Sequence, residues 1–353
     1  MTSLFDIEAL AKRNLPPDYW DWISSGYGEG MLVRRNQEAF EEIRIRPRPR
    51  VLMDASKIDT STTVLGERIE LPVFASPAGT QWIAHPDAEV AVARGVGSAG
   101  TLMNLATGSH NTTEEVSEAA RGPLWFQLYH LTDNITRYML PKVESLGYSA
   151  ICLTLGRPSG MRREKGPFSD YSPSGDIAWG DLIEVPELRR QIDNLDRSSY
   201  NIFNLETVEW IRNITSLPLV IKEVMTAQDA RKCVDYGASG IVVSNHGGRT
   251  SDKGKASIEA LSSIVKEVGD EIEVYLDSGV RSGSDIVKAL AMGARAVGVG
   301  RPVIWGLALD GHNGVNRVFE ILRDEFERAM SICGCISVAD IDTSTIVSLK
   351  GNE

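Results

Sequence analysis

Apolar and polar positions alternate along this chain in two rhythms. Eight short runs carry Val, Ile and Leu with little polar interruption: Leu71–Ala75, Thr101–Leu105, Leu124–Leu128, Ala150–Thr154, Leu217–Ile221, Gly240–Val243, Glu273–Leu276 and Ala296–Val299. Such runs suit strands buried on both faces. Between them lie helix openings at Pro86-Asp87-Ala88-Glu89, Thr112-Thr113-Glu114-Glu115, Thr226-Ala227-Gln228-Asp229 and Ser282-Gly283-Ser284-Asp285. Their acidic residues fall in the first turn, where the helix dipole favours them. Strands alternating with helices make a parallel sheet, and eight units favour closure. The expected fold is α/β: a (β/α)8 TIM barrel with an N-terminal helical extension and a long lid after strand 4. A Gly-x-Gly-x-x-Gly turn after the first strand is absent, which argues against a dinucleotide-binding sheet.

The pattern predicts one domain over residues 1–353. Residues 1–70 form the extension, helical then extended. Residues 71–310 form the barrel and 311–353 the C-terminal helices, with Gly314–Met330 as one amphipathic helix. About sixty residues separate Thr154 from the strand near Leu217, and loops this long are commonly lids. The stretch from about Lys165 to Tyr200 is the expected lid.

Composition narrows the functional classes. The net charge of -11 argues against a phosphate-backbone binder. No apolar run is long enough to span a bilayer, and the first residues lack a secretory pattern. An intracellular, cytoplasmic protein is expected. Four cysteines, Cys152, Cys233, Cys333 and Cys335, fit no zinc spacing and read as buried free thiols. No metal site is expected.

The chemistry-bearing residues cluster at strand ends. The sixth run ends in Ser244-Asn245-His246-Gly247-Gly248-Arg249, placing an imidazole and a guanidinium on one flexible turn. One can move a proton; the other can fork onto a carboxylate. Arg163 is a second fork donor on another loop. After the last two runs, Gly279, Arg281, Gly300 and Arg301 offer backbone N–H groups and positive charge, where barrels commonly bind phosphate. Lys222 ends the fifth run and reads equally as a Schiff-base lysine, an ion pair or a cation beside a cofactor. Gln127, Tyr129 and Thr154 suit the polar edge of a planar heterocycle. A phosphorylated ring cofactor follows, flavin mononucleotide or pyridoxal phosphate. His85, His110, His130 and His312 carry no triad or metal spacing.

With these residues in place, the chain resembles the FMN-dependent 2-hydroxy-acid oxidases and dehydrogenases. The matching segments include Arg46-Pro47-Arg48, Ala84-His85-Pro86, Phe126-Gln127-Leu128-Tyr129, Arg162-Arg163-Glu164, Ser244 to Arg249, Asp277-Ser278-Gly279-Val280-Arg281 and Gly300-Arg301-Pro302. The resemblance implies that Ser76, Pro77, Ala78, Ala106 and Ser244 line the flavin. Gln127 and Thr154 would bind its polar edge, and Lys222 would stabilise the anionic reduced ring. Asp277, Ser278, Gly279, Arg281, Gly300 and Arg301 would hold the ribityl phosphate. His246 would be the base, Arg163 and Arg249 would bind the carboxylate, and Tyr129 would hydrogen-bond the substrate hydroxyl. A small carboxylate substrate and a homotetramer or homo-octamer are implied as well; with no haem domain or membrane-binding insertion evident in the sequence, oxygen is the expected acceptor.

Five departures from the family pattern stand out. Trp22 occupies the place of a tyrosine. Leu155-Gly156 replaces Val-Asp, removing the aspartate that would orient the base, with Glu223 and Asp252 the nearest candidate substitutes. Gly108 lies in an altered second-strand loop. Glu223 and Ser278 each replace a glycine. Trp22, Gly108 and Gly156 are therefore candidate substrate-pocket residues. These changes leave three readings: a 2-hydroxy-acid oxidase for a substrate larger than glycolate, altered flavin chemistry on another carboxylate-bearing or amino substrate, or a flavin-binding protein with little turnover.

Overall fold

The structure is a computed structural model describing residues 2–48, 57–155, 179–183, 185–194 and 205–348. Eight parallel strands close into a barrel: β1 (Val73–Ala75), β2 (Met103–Ala106), β3 (Leu124–Leu128), β4 (Ala150–Thr154), β5 (Leu219–Val224), β6 (Gly240–Val243), β7 (Glu273–Leu276) and β8 (Val297–Val299). The expected runs all become barrel strands. The fifth is displaced: the sequence places it at Leu217–Ile221, whereas it runs to Val224 with a bulge between Lys222 and Val224.

Side-chain alternation sets the barrel's layers. Phe74, Trp125, Cys152, Val220, Val242 and Tyr275 share one inner cluster, with Trp125 and Tyr275 edge-on at 5.2 Å. Val64 and Ile69, from the hairpin Thr62–Val64/Glu67–Ile69, join that cluster. Successive residues on a strand face opposite ways, so the next inward positions lie two residues further on. Those positions are Ser76, Gln127, Thr154, Lys222, Ser244 and Asp277. A polar layer thus sits directly above an apolar plug, at the C-terminal end of the strands where barrel sites are built.

Helix starts follow their caps. Thr112 and Glu115 form a reciprocal capping box, as do Ser282 and Asp285, and Thr226 accepts from Asp229 N. The C-terminal helix starts earlier than its pattern suggests. It covers Arg301–Cys333, interrupted by non-helical Asp310 and Gly311. The N-terminal extension forms the helices Leu4–Asn14, Pro17–Ser24 and Met31–Glu41, then Ile43–Ile45 paired antiparallel with Ile346–Ser348. Among the described residues no helix is long and apolar enough to cross a membrane. The four cysteines are unbridged and buried. Most of the expected lid lies outside the described residues, as do Arg163 and Gly156.

Candidate active site

The turn after β6 is built from left-handed backbone. His246, Gly247 and Gly248 have φ of 57°, 67° and 79°. Gly248 N bonds back to Asn245 O at 3.0 Å, and the fold adds a side-chain acceptor for each N–H of the turn. Ser244 Oγ accepts from His246 N at 3.1 Å, Ser278 Oγ from Gly247 N at 2.9 Å and Asn245 Oδ1 from Gly248 N at 3.0 Å. Asn245 is in turn locked to Asn36 by two amide hydrogen bonds of 2.9 and 2.7 Å. Asn36 escapes a motif-based reading. Its only signal is position: it falls four residues after Leu32 and four before Phe40, on the buried stripe of its helix.

Lys222 projects from β5 into the polar layer. Its ammonium donates to Ser244 Oγ at 2.9 Å and lies 3.4 Å from Asp277 Oδ2. Burial alone would lower its pKa, but the carboxylates of Asp277 and Glu223 outweigh burial and raise it. The amine thus sits in a buried ion pair with Asp277, hydrogen-bonded to Ser244. Gln127 Nε2 donates to Thr154 Oγ1 at 3.0 Å. Thr107 ties Gln127 and Tyr129 together, donating from Oγ1 to Gln127 O at 2.5 Å and accepting from Tyr129 N at 2.9 Å. Ser76 Oγ reaches Asp277 Oδ2 at 3.4 Å, and Ala78 O accepts from Gln81 Nε2. Pro77 is half-buried beside them, Ala106 is buried, and Gly108 is half-buried with its carbonyl close above Gly79.

The arginines are more engaged than their motif suggests. Arg301 donates to Ile23 O at 2.7 Å, Ser25 O at 2.8 Å and Gly247 O at 3.0 Å. Arg249 donates to Trp22 O at 2.7 Å and stacks over the Trp22 ring. Both guanidinium groups therefore meet carbonyls at the C-terminal end of the helix Pro17–Ser24, where the helix dipole favours cations. Arg281 lies over the Trp305 ring at 5.1 Å and donates to Val280 O. Burial, with Arg249 and Arg281 nearby, lowers the Arg301 pKa to about 9. Gly279 has φ of 104°, and a Cβ there would sit 2.2 Å from Asn36 O. Gly300 lies beside Ser76 with room around it.

The carboxylate question is resolved by contact. Asp252 accepts from Glu29 N at 3.0 Å and Met31 N at 2.6 Å, so it braces the N-terminal extension. Glu223 Oε1 instead bonds directly to His246 Nδ1, with the Glu223 side chain only 8% exposed. Glu223 and Ser278 keep the glycine-like backbone, with φ of 78° and 76°. Each such non-glycine residue costs about 1 kcal/mol or more. A cavity of about 680 Å³ opens beside this pair, lined among others by Leu155, Glu223, Met225, Ser244 and Arg249.

Similar proteins place this site in context. The chain is 39% identical to glycolate oxidase 3 of Oryza sativa subsp. indica over 360 residues, covering 99% of this chain and 96% of that protein. It is 39% identical to an L-lactate oxidase of a Nostoc species over 355 residues, covering 97% of each. The solved structure of an active mutant of (S)-mandelate dehydrogenase superposes with a TM-score of 0.91 at 30% identity, covering 99% of each chain. A mandelate oxidase variant with (S)-mandelic acid gives a TM-score of 0.89 at 34% identity, covering 100% of each. Residues 11–348 match the family described as FMN-dependent dehydrogenase, and with that match over a closed eight-stranded barrel the chain belongs to that family of FMN-dependent oxidoreductases.

Proposed function

We propose that this enzyme oxidises a 2-hydroxy acid larger than glycolate to the 2-oxo acid, with His246 as the base. The supporting observation is the shared anchor at Ser244, whose Oγ accepts from both Lys222 Nζ at 2.9 Å and His246 N at 3.1 Å. Base and buried cation are thereby held in one rigid unit over the polar layer. A cavity of about 680 Å³ lies on the Ser244 and Arg249 side of this unit, bordered by Leu155, Glu223 and Met225.

The residues present fit FMN. Burial first, and then the nearby Arg249 and Arg281 charges, depress the Arg301 pKa, and a phosphate dianion there would offset that repulsion. Gly279 and Gly300 leave backbone accessible beside them. Arg281 and Arg301 would hold the phosphate, while Ser76, Ala78, Gln127 and Thr154 would face the ring. FMN supplies the two-electron acceptor. Lys222, kept charged by Asp277 and Glu223, stabilises negative charge developing at its side of the mouth. Arg249, joined by Arg163, binds the substrate carboxylate, and Tyr129 holds the hydroxyl. His246 takes the hydroxyl proton at Nε2, because Nδ1 is engaged by Glu223. The Cα–H bond breaks with its electron pair leaving the substrate, and the carbonyl forms. Oxygen is the proposed acceptor for the return half, with a homo-oligomeric assembly in the cytoplasm.

Anaerobic mixing with glycolate, L-lactate and (S)-mandelate tests the reading. The larger acids should bleach the flavin of the native enzyme, and His246→Gln should remain oxidised with its absorbance spectrum nearly intact. Reduction of His246→Gln at the native rate would reject His246 as base.

A further inference from the structure

We infer that Glu223 is the positioning residue of His246, delivered to the imidazole from the bulge of β5. This rests on His246 acting as the base. Glu223 follows Lys222 directly, so regular alternation would point it away from the barrel mouth. The register shift between Lys222 and Val224 and the φ of 78° at Glu223 re-aim it. Its Oε1 then meets His246 Nδ1. A side chain at a backbone position suited to glycine needs a compensating contact, and this is the one it makes.

The second left-handed residue works on the same turn. Ser278, from the end of β7, accepts from Gly247 N at 2.9 Å and donates to Asp277 Oδ1 at 2.8 Å. Glu223 therefore fixes the ring while Ser278 fixes the peptide that follows it. With the carboxylate on Nδ1, the proton rests there and the lone pair of Nε2 faces the substrate. When Nε2 takes the hydroxyl proton, the ring becomes an imidazolium beside a carboxylate that is 8% exposed, and that charge is stabilised in place. Glu223 also borders the cavity next to Met225.

Three Glu223 variants, His246→Gln and the native protein decide this. Glu223→Gln keeps shape without charge, Glu223→Asp keeps charge with a shorter reach, and Glu223→Gly gives the backbone the residue it favours. With FMN bound, the rate of flavin reduction by L-lactate or (S)-mandelate should fall on the order of 100-fold in the Gln and Gly variants, with KM changed little and partial rescue by Asp. The thermal midpoint of Glu223→Gly should equal or exceed that of the native protein, opposite to the loss expected of a structural contact. Nitrogen-15 NMR of the histidine-labelled protein, which needs no substrate, should show His246 as the Nδ1–H tautomer in the native chain and as a mixture in Glu223→Gln. An unchanged tautomer, or native reduction by Glu223→Gln while His246→Gln is inert, overturns the inference. A His246→Gln variant that still reduces flavin rejects the base assignment instead.

Discussion

The Arg249 guanidinium lies 4.5 Å from the centroid of the Trp22 ring, and its Nη1 donates to the Trp22 carbonyl at 2.7 Å. One residue thus orients the carboxylate-binding candidate twice, by its ring face and by its backbone. A cation–π contact of this kind contributes about 0.5–2 kcal/mol. Replacing Trp22 with Ala should raise KM roughly 3- to 30-fold with a smaller effect on kcat, since the backbone carbonyl stays. Trp22→Tyr, which adds a phenolic donor, should raise kcat/KM for the smaller acids. Oxygen-uptake assays across glycolate, L-lactate and mandelate would read both; an unchanged KM in the Ala variant would remove Trp22 from the substrate site.

Lys222 and Asp277 are a buried pair, with side chains 5% and 8% exposed. Lys222→Met should slow flavin reduction about 100-fold or more by removing one preorganised charge. It should also destabilise the fold by about 3–5 kcal/mol, because Asp277 is left buried without its cation. Adding Asp277→Asn should recover much of the stability and none of the reduction rate. Urea unfolding together with stopped-flow bleaching separates the two effects; recovery of both would place Lys222 in a purely structural role.

Arg301→Ala should weaken FMN retention. The contacts with Ile23, Ser25 and Gly247 add a second loss, which the sequence alone does not disclose. Hydrogen bonds from a charged donor contribute about 1.5–3 kcal/mol each, so the apoprotein should unfold at a clearly lower temperature. Inorganic phosphate should raise the melting temperature of the native apoprotein by linkage and leave Arg301→Ala nearly unmoved. Equal protection of both proteins by phosphate would locate the anion elsewhere.

Glu89 couples pH to the loop after β2. Its carboxylate accepts from His110 N at 3.0 Å and Asn111 N at 3.3 Å, and burial pushes its pKa up from 4.5 to about 7. A carboxyl raised on folding binds its proton more tightly in the native state. Its contribution is full below about pH 4.5, declines as pH rises to about 7 and is flat above. The span is on the order of 3 kcal/mol. Urea melts at pH 5 and pH 8 should show a smaller decline for Glu89→Gln than for the native chain. Parallel pH dependence in the two proteins would mean Glu89 does not titrate in this range.

Much of this architecture was legible because barrel strands advertise themselves. Runs such as Ala150–Thr154 and Gly240–Val243 are apolar on both faces, and alternation alone carries Gln127, Thr154 and Asp277 one step above the plug. Contacts between distant segments were harder to see. Asn36 meets Asn245 across 209 positions, and its place on the buried stripe of the helix Met31–Glu41 marks it as interior without naming its partner. Glu223 was visible as a glycine replacement and as a candidate carboxylate. Choosing it over Asp252 required knowing that the bulge turns one toward the imidazole while backbone N–H groups of Glu29 and Met31 occupy the other.

The clasp between Asn36 and Asn245, together with the hold of Arg301 on Ile23 and Ser25, bears on the order of events as the chain is made. The first helices leave the ribosome with their partners unsynthesised. Asn245, Gly247 and Arg301 come more than two hundred residues later, so these contacts of the opening segment form only when nearly the whole barrel exists. The turn at His246 consequently gains its contact with Arg301 late. A nascent chain stalled before Arg301 would carry all eight barrel strands and the side chains that bond the turn, but not the guanidinium that holds Ile23, Ser25 and Gly247.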